Sequence, residues 1–281
     1  MIKKIWNIIS EFGDRLDRHN IYLLAAGISF NIILYILPLF LVLLFILTNF
    51  FDYNNVMNVI QELVQNMMPK NASTKEVMQT ITTEVGLIFN KSSYLGYIGI
   101  VLSLWVSSTL ISAFRSSLNK IFQLESPKFF LIYKLKDILL TIIFTVLILI
   151  YSYALPIVSI SNSLIETISP NRIEWLVSGI MLSLYSMLTG TVLYYFIFSY
   201  VPNKIIPRRA RYSSTLICVV LMEISRNIFS WYISTVADYG KFYGTYAIIV
   251  SIAFWIYYSS LIILLSAEIG KMYSDLKERE R

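Results

Sequence analysis

The chain has 281 residues, of which 57% are hydrophobic and only 14% carry a charge. Soluble domains carry about a quarter charged residues, so this composition excludes an ordinary soluble domain and predicts a membrane protein. With one cysteine and one histidine, the chain cannot build a disulfide framework or a metal site from these residues, and we expect no cofactor. The net charge of +6 does not predict nucleic-acid binding, because the basic residues are distributed as membrane topology requires.

Six apolar runs of about 20 or more residues divide the sequence, and each can cross a ~30 Å hydrocarbon layer as a helix rising ~1.5 Å per residue. They are 28–51, 94–113, 138–160, 175–200, 212–236 and 245–269. Four of the six contain no charge, and the exceptions are Glu223 and Arg226 in the fifth and Glu268 ending the sixth. The pattern predicts an all-α polytopic membrane protein, a bundle of six transmembrane helices that we number as spans 1 to 6.

Two segments outside the spans also have helical patterns. Residues 1–27 hold an amphipathic helix, which either lies in the membrane interface or packs against cytoplasmic loops. Residues 28–281 are predicted to be one membrane domain that ends in a cytoplasmic tail, 270–281. Residues 52–93, between spans 1 and 2, are predicted to form a small outer helical hairpin, because two apolar stripes are separated there by a proline and a capping box.

The distribution of Lys and Arg predicts the orientation of the chain in the membrane. Alternate segments, beginning with the N-terminal one, hold 17 of these residues, against five in the other segments between spans. Since basic loops stay in the cytoplasm, we expect both termini there, in a multi-pass protein of the bacterial inner membrane. We expect span 1 itself to act as the insertion signal, with no cleaved signal peptide.

Span 5 contains the most informative polar residues. Glu223, Arg226, Asn227 and Ser230 are spaced at i, i+3, i+4 and i+7, which places them on one helical face. A lone charge at the membrane centre costs ~2.5–3.5 kcal/mol, and pairing offsets part of that cost. The pair is interpreted either as a functional site, such as a gate, an ion site or a headgroup site, or as a structural salt bridge.

Span 2 carries a second polar stripe. Its serines at three- or four-residue spacing favour close helix packing. Arg115 and Asn119, near the cytoplasmic end, are candidates for contacts with headgroups or with the span 5 pair. Because both stripes must be hidden from lipid tails, we predict that they face one cavity, with Arg115 or Arg226 attracting an anionic headgroup. Its predicted lining is Ser108, Arg115, Asn119, Glu223, Arg226 and Asn227.

Three other positions have simpler interpretations. Pro38 is expected to kink or end the helix of span 1. Glu268 is interpreted as one half of a surface ion pair with Lys271, three residues further on. The basic link 201–211 is interpreted as a topology signal rather than a specific lipid site.

Several sequence patches resemble the YihY/BrkB family of bacterial inner-membrane proteins, once labelled ribonuclease-BN-like. The patches are Ala25–Phe30 with Pro38, Leu104-Trp105 with Leu118–Lys120, Val201-Pro202-Asn203, and a last group of Glu223, Phe229, Tyr232, Tyr243-Gly244, Trp255 and Ala267-Glu268. The sequence departs from the family pattern at Ser266 and at Ser213-Ser214, where small glycine-containing motifs are usual, which weakens the expectation of close helix contacts there. The resemblance implies a six-span bundle with both ends inside.

The resemblance leaves function open, since members of the family are linked to envelope integrity, lipid transport and virulence. We expect a transporter or lipid-handling protein whose partners are membrane lipids. The alternative is a structural membrane protein that binds an envelope protein through its outer hairpin. A nuclease is not expected, because RNA cleavage needs metal-binding carboxylates or a water-exposed acid–base pair. A hydrated cavity that reaches Glu223 and Arg226 would favour transport, and a dry pair would favour the structural role.

Overall fold

The computed structural model describes residues 2–50, 93–125, 132–148, 173–236 and 240–279, with isolated positions at 79 and 83. Every regular element in these ranges is an α-helix, and they contain no strand, which confirms the all-α prediction. The predicted outer hairpin 52–93 and the second half of span 3 lie almost entirely outside the described residues.

Seven helices make up the described part of the chain. They are α1 (Ile2–His19), α2 (Ile21–Phe50), α3 (Ser93–Ile121), α4 (132–148), α5 (Ile173–Tyr200), α6 (Arg208–Val236) and α7 (Gly240–Arg279). Five of the apolar runs lie almost wholly inside α2, α3, α5, α6 and α7, which have 28 to 40 residues each. At ~1.5 Å per residue each is at least ~42 Å long, more than the ~30 Å hydrocarbon layer requires.

Length and apolar composition together give a smaller number of spans than the sequence pattern. Among the described residues, one helical stretch, Val250–Arg279, satisfies both criteria. A second satisfies them if Ile9–His19 and Ile21–Ile36, whose axes differ by 51°, are taken as one broken span, and Met187–Tyr200 is apolar but shorter. The helical architecture is therefore confirmed, and the number of six spans stays a prediction.

The chain divides into two compact units, of which the first contains the three charged sites described below. It comprises Met1–Ile33 and Ser108–Arg281, and the second comprises Leu34–Ser107. In the second unit α2 continues through Pro38 to Phe50, so the proline does not end the helix, and a kink at this position stays a prediction. In the first unit α6 packs against α5 on one side and α7 on the other.

The outward face of α6 is apolar. Tyr212, Leu216, Val220, Ile224 and Ile228 recur every four residues and are all exposed. The opposite face, which includes Ser214 and Cys218, is buried. An exposed stripe of large apolar side chains is unfavourable in water and is typical of a surface that contacts lipid tails.

The contact between α6 and α7 is close because α7 has a glycine, Gly270, in its C-terminal half. A Cβ atom at Gly270 would overlap Ser214 Oγ and would lie 2.8 Å from the Ser214 backbone nitrogen and 2.9 Å from Ala210 O. The serines at 213, 214 and 266 had weakened the expectation of close contacts in this region. The structure corrects that expectation, since Gly270 supplies the space that the two backbones need.

A short break joins α1 to α2. Asn20 adopts a left-handed conformation with φ of 53°, which Asn tolerates better than most residues, and the helix resumes at Ile21. The C-terminal half of α1 packs on α7 through Arg15 and His19, both buried, whereas Trp6 and Ile9 near its start are exposed. The helix therefore packs on the bundle at one end and leaves apolar side chains uncovered at the other.

Candidate functional site

Glu223 and Arg226 form an ion pair within one turn of α6. Arg226 Nη2 donates to Glu223 Oε1 at 2.5 Å, and the exposed fractions of the side chains are 16% for Glu223 and 37% for Arg226. Asn227 is exposed, and its amide donates back to the Glu223 carbonyl oxygen. The pair is thus neutralised internally but is not sealed from its surroundings.

The pair lies on the wall of a cavity between α5, α6 and α7. The cavity has a volume of about 230 Å³, far above the ~10–15 Å³ that one water molecule occupies by this measure. Its lining comprises Met187, Thr189, Gly190, Leu193, Tyr194, Val219, Met222, Glu223, Arg226, Trp255 and Ser259. The wall therefore combines one anion and one cation with hydroxyl, aromatic and apolar groups.

Aromatic packing fixes part of this wall. The Trp255 ring stacks on Phe229 of α6 with 4.6 Å between the ring centroids. On α5, a Cβ at Gly190 would lie 3.4 Å from the Tyr194 ring, so the ring packs close to Gly190 on its own helix. Two aromatic side chains are thus held against the cavity before any ligand enters.

The polar residues of span 2 lie elsewhere and do not line this cavity. Arg115 Nη2 contacts Asp137 Oδ2 of α4 at 2.8 Å, and its other nitrogen donates to the Tyr133 carbonyl oxygen. Asn119 Oδ1 accepts a hydrogen bond from the Asn203 backbone nitrogen at 3.0 Å, and Ser108 is fully buried. Both Arg115 and Asn119 therefore have nearer partners than the span 5 pair, one of which, Asp137, sequence reasoning had not considered.

We call the group around Asp137 the α3–α4 cluster, formed by Ser112, Arg115, Lys134, Lys136 and Asp137. Burial raises the pKa of Asp137, although Ser112 Oγ donates to it and three cations are close. Burial likewise lowers the pKa of Lys134 and of Lys136. The cluster is net positive. Its side chains are partly buried, and this burial disfavours their charged forms.

The family-motif residues Pro202 and Asn203 join this cluster to the rest of the bundle. Lys136 Nζ donates to the Pro202 carbonyl oxygen at 3.2 Å, and the Asn203 side chain donates to the Glu125 carbonyl oxygen at 3.3 Å. These contacts fix the link between α5 and α6 onto the ends of α3 and α4. Tyr243 and Gly244 lie in the first turns of α7, and their side chains are outside the described residues.

The third charged site is the α1–α7 cluster, formed by Glu11, Arg15, His19, Glu268 and Asp275. Glu268 is completely buried, and its Oε2 lies 2.7 Å from His19 Nδ1. Arg15 contacts Asp275 and Glu11 at 2.9 Å each and lies 3.7 Å from Glu268. The hydrogen bond from Arg15 lowers the pKa of Glu11.

The interpretation of Glu268 as a surface partner of Lys271 is wrong. Lys271 Nζ donates instead to the Ile121 carbonyl oxygen at 3.0 Å, and Glu268 is covered by α1. His19 is 249 residues away from Glu268 in the sequence, so no spacing rule could have related them. The available signal was a lone histidine at the end of the amphipathic helix α1 and an acid at the end of the last apolar run, which is too unspecific to use.

Comparisons with known proteins place the chain among membrane proteins. The family model for the virulence factor BrkB matches residues 12–281. The ribonuclease-like protein YfkH of Bacillus subtilis is 25% identical, over 97% of this chain and 97% of that protein. UPF0761 membrane proteins of Pelodictyon phaeoclathratiforme and Pseudoalteromonas atlantica are 24% and 26% identical over 96% and 92% of the chain, which spans 60% and 83% of their lengths. No solved structure matches the chain.

Proposed function

This chain belongs to the virulence factor BrkB family, and on that premise we propose that it transports a substrate or handles lipids in the bacterial inner membrane. Its relatives are named membrane proteins, and its described helices are long and expose apolar faces. We assign the activity to the cavity whose wall carries Glu223 and Arg226.

The accessibility of this ion pair is the observation that carries the proposal. A structural salt bridge inside a bundle is expected to be shielded from solvent, because an exposed ion pair contributes only ~0–1 kcal/mol to stability. Here the Arg226 side chain is 37% exposed, and both charges border a space of about 230 Å³. Intramembrane charges that face a cavity mark substrate or ion paths more often than packing contacts.

The number of spans and the side of the membrane on which each segment lies are part of the proposal. Six spans would place both termini in the cytoplasm and residues 52–93 outside, as the distribution of basic residues predicts. Single cysteines at Ser73 and Glu278, in a Cys218→Ala background, test this arrangement. An impermeant thiol reagent applied to intact cells should label the cysteine at 73 only, and labelling at 278 would contradict the topology.

Lipid exchange in vesicles tests the activity. Purified protein in vesicles with a fluorescent phospholipid should speed leaflet exchange over protein-free vesicles, and Arg226→Gln should abolish the increase. Arg209→Gln is the matched control, because Arg209 is an exposed residue of the same helix outside the cavity. Exchange no faster than in empty vesicles, with Arg226→Gln equal to wild type, would argue strongly against lipid transport.

A structural role is the alternative, and the α1–α7 cluster favours it. Arg15 and His19 join the first helix to the last through buried contacts, as a staple would. In that case the outer hairpin 52–93 would bind an envelope protein, and substitutions in the cavity would leave function unchanged. We propose no nuclease activity, since the carboxylates described above are engaged by Arg, His or Ser side chains.

A further inference from the structure

A half-buried arginine in the first turn of α6 has aromatic neighbours instead of an acid. The Arg211 Cζ atom lies 5.4 Å from the centroid of the Tyr195 ring and 5.6 Å from the centroid of the Tyr212 ring. The two rings, one from α5 and one from α6, are stacked with 5.8 Å between their centroids. Both distances from Arg211 are within the ~6 Å at which a ring face attracts a cation. The Arg211 guanidinium is therefore positioned by two ring faces.

This guanidinium has donors for which the described part of the chain supplies no acceptor. Arg211 Nε is buried and has no hydrogen-bond partner, and within the described ranges no carboxylate forms an ion pair with Arg211. A ring face attracts the positive charge, but it does not replace an oxygen acceptor in the plane of the guanidinium. The five N–H donors of this side chain therefore favour a ligand that brings its own oxygens.

The other described arginines differ from Arg211. Four of them lie within 4.0 Å of a carboxylate oxygen: Arg15, Arg115, Arg226 and Arg279. Three are exposed, so water can accept hydrogen bonds from them: Arg18, Arg208 and Arg209. Among the described residues, Arg211 is thus the arginine that is withdrawn from solvent without an acid beside it.

The surroundings of Arg211 indicate the source of the missing oxygens. Tyr212 begins the exposed apolar stripe of α6, and Leu216 and Val220 follow at four-residue spacing. Tyrosine side chains are typical of the headgroup level of a bilayer, so Arg211 lies where a lipid phosphate is expected. Arg208 is exposed three residues earlier, on the same side of the helix. A lipid with its chains along the stripe would place its phosphate beside these two cations.

We propose that Arg211, held by Tyr195 and Tyr212, binds the phosphate group of an anionic phospholipid. The planar donors of an arginine match two phosphate oxygens at once, which the single ammonium of a lysine cannot do. An anionic headgroup is favoured over a zwitterionic one, because Arg208 and Arg211 would repel an ammonium group. The basic link 201–211 would then end in a specific lipid site in addition to its role in topology.

This site is separate from the cavity, whose lining does not include Arg211. The inference is independent of the proposed function, since a structural membrane protein can hold a lipid at its surface in the same way. A phosphate group can come from two sources, a lipid headgroup and free phosphate. The apolar stripe that begins at Tyr212 favours the lipid, because acyl chains can contact it.

Native mass spectrometry of the delipidated full-length protein tests the site. The protein is offered equal amounts of phosphatidylglycerol, which is anionic, and phosphatidylethanolamine, which is zwitterionic, and the lipid that stays bound is counted. Wild type should retain more phosphatidylglycerol. Arg211→Lys keeps the charge but should lower this retention by about tenfold, the factor expected from one lost charge-assisted hydrogen bond. Arg209→Lys, the same exchange at an exposed position of the same helix, should match wild type.

A second pair of variants tests the aromatic contribution and keeps the test decisive if Arg211→Lys does not fold. Tyr212→Leu removes one ring face at an exposed position and should lower phosphatidylglycerol retention by about two- to fivefold. Tyr200→Leu is the matched control, because Tyr200 is an exposed tyrosine at the end of α5, and it should leave retention unchanged. Retention of phosphatidylethanolamine should be the same in all four variants.

Inorganic phosphate distinguishes the two sources. Phosphatidylglycerol that stays bound to wild type in an excess of phosphate supports the lipid headgroup. Phosphate that binds wild type but not Arg211→Lys, with no lipid retained, supports the same site with a free anion. Equal retention of the two lipids by wild type, without such phosphate binding, overturns the proposal. It is also overturned if Arg211→Lys and Tyr212→Leu both retain phosphatidylglycerol as wild type does, or if Arg209→Lys loses as much as Arg211→Lys.

Discussion

Two charged sites of the same unit differ in how far their charges are withdrawn from the surroundings. At the cavity, the Glu223 and Arg226 side chains are 16% and 37% exposed and lie three residues apart on one helix. At the α1–α7 cluster, Glu268 is 0% exposed, and Arg15 and His19 reach it from the other end of the chain with 10% exposure each.

The difference indicates what each site does in the fold. The ion pair between Glu223 and Arg226 does not itself join two helices, since both residues belong to α6. The α1–α7 cluster joins two helices that are otherwise in little contact, so its buried charges contribute to tertiary structure. Accessibility and sequence separation together therefore support our proposal that the cavity pair is a binding group and that the α1–α7 cluster is structural.

The largest expected effect on stability comes from replacing the acid of each site by leucine, and it should differ between the two sites. Glu268→Leu should destabilise the protein by about 3–5 kcal/mol, because it leaves His19 and Arg15 buried without that carboxylate. Glu223→Leu should cost about 1 kcal/mol or less, since Arg226 can remain solvated in the cavity. Reversible unfolding in mild detergent measures both, and equal losses of stability would contradict the distinction between the two sites.

The next effect concerns the helix contact that lies beside Glu268. Gly270→Ala should destabilise by about 1–3 kcal/mol, because the new methyl group would meet backbone atoms of α6 that cannot move aside. Gly27→Ala is the matched control, since a Cβ at that helical position would contact nothing within 4 Å. It should be neutral or slightly stabilising, and a loss as large as that of Gly270→Ala would contradict the close contact.

A double-mutant cycle on the cavity pair should give a coupling free energy smaller than the effects above. Comparing Glu223→Ala, Arg226→Ala and the double variant, we expect a coupling of at most about 1 kcal/mol in stability. Leaflet exchange should nevertheless slow in both single variants. A coupling above about 3 kcal/mol would identify the pair as a structural salt bridge. The two sites would then have the same role in the fold.

The smallest effect is a pH dependence at α1. Because Arg15 lowers the pKa of Glu11, the contribution of Glu11 to stability is present above its ordinary pKa and is lost as the pH falls through the lowered value. Between about pH 6 and about pH 3.5, wild type should lose more of its Tm than Glu11→Gln does. Identical losses in the two proteins would show that this contact does not contribute.

Local features of the sequence predicted the parts of the molecule that depend on local chemistry. The apolar runs predicted the helices, and the spacing of Glu223 and Arg226 predicted their pairing, because both follow from neighbours within a turn or two. The partners of Arg115 and Glu268 could not be predicted in this way. Asp137, which contacts both Arg115 and Ser112, lies 25 residues from Ser112 along the chain. His19 lies 249 residues from Glu268, so these contacts depend on how the helices assemble.

The distance between His19 and Glu268 along the chain has a consequence for biosynthesis. A ribosome that adds ~5–20 residues per second needs about 12 to 50 s to make the 249 residues between them. During that interval Arg15 and His19 have been inserted or docked without the acid that will cover them. The nascent protein can complete this network only when its last helix emerges, so a truncated or stalled chain would leave His19 without Glu268 and Arg15 with Glu11 but without Asp275.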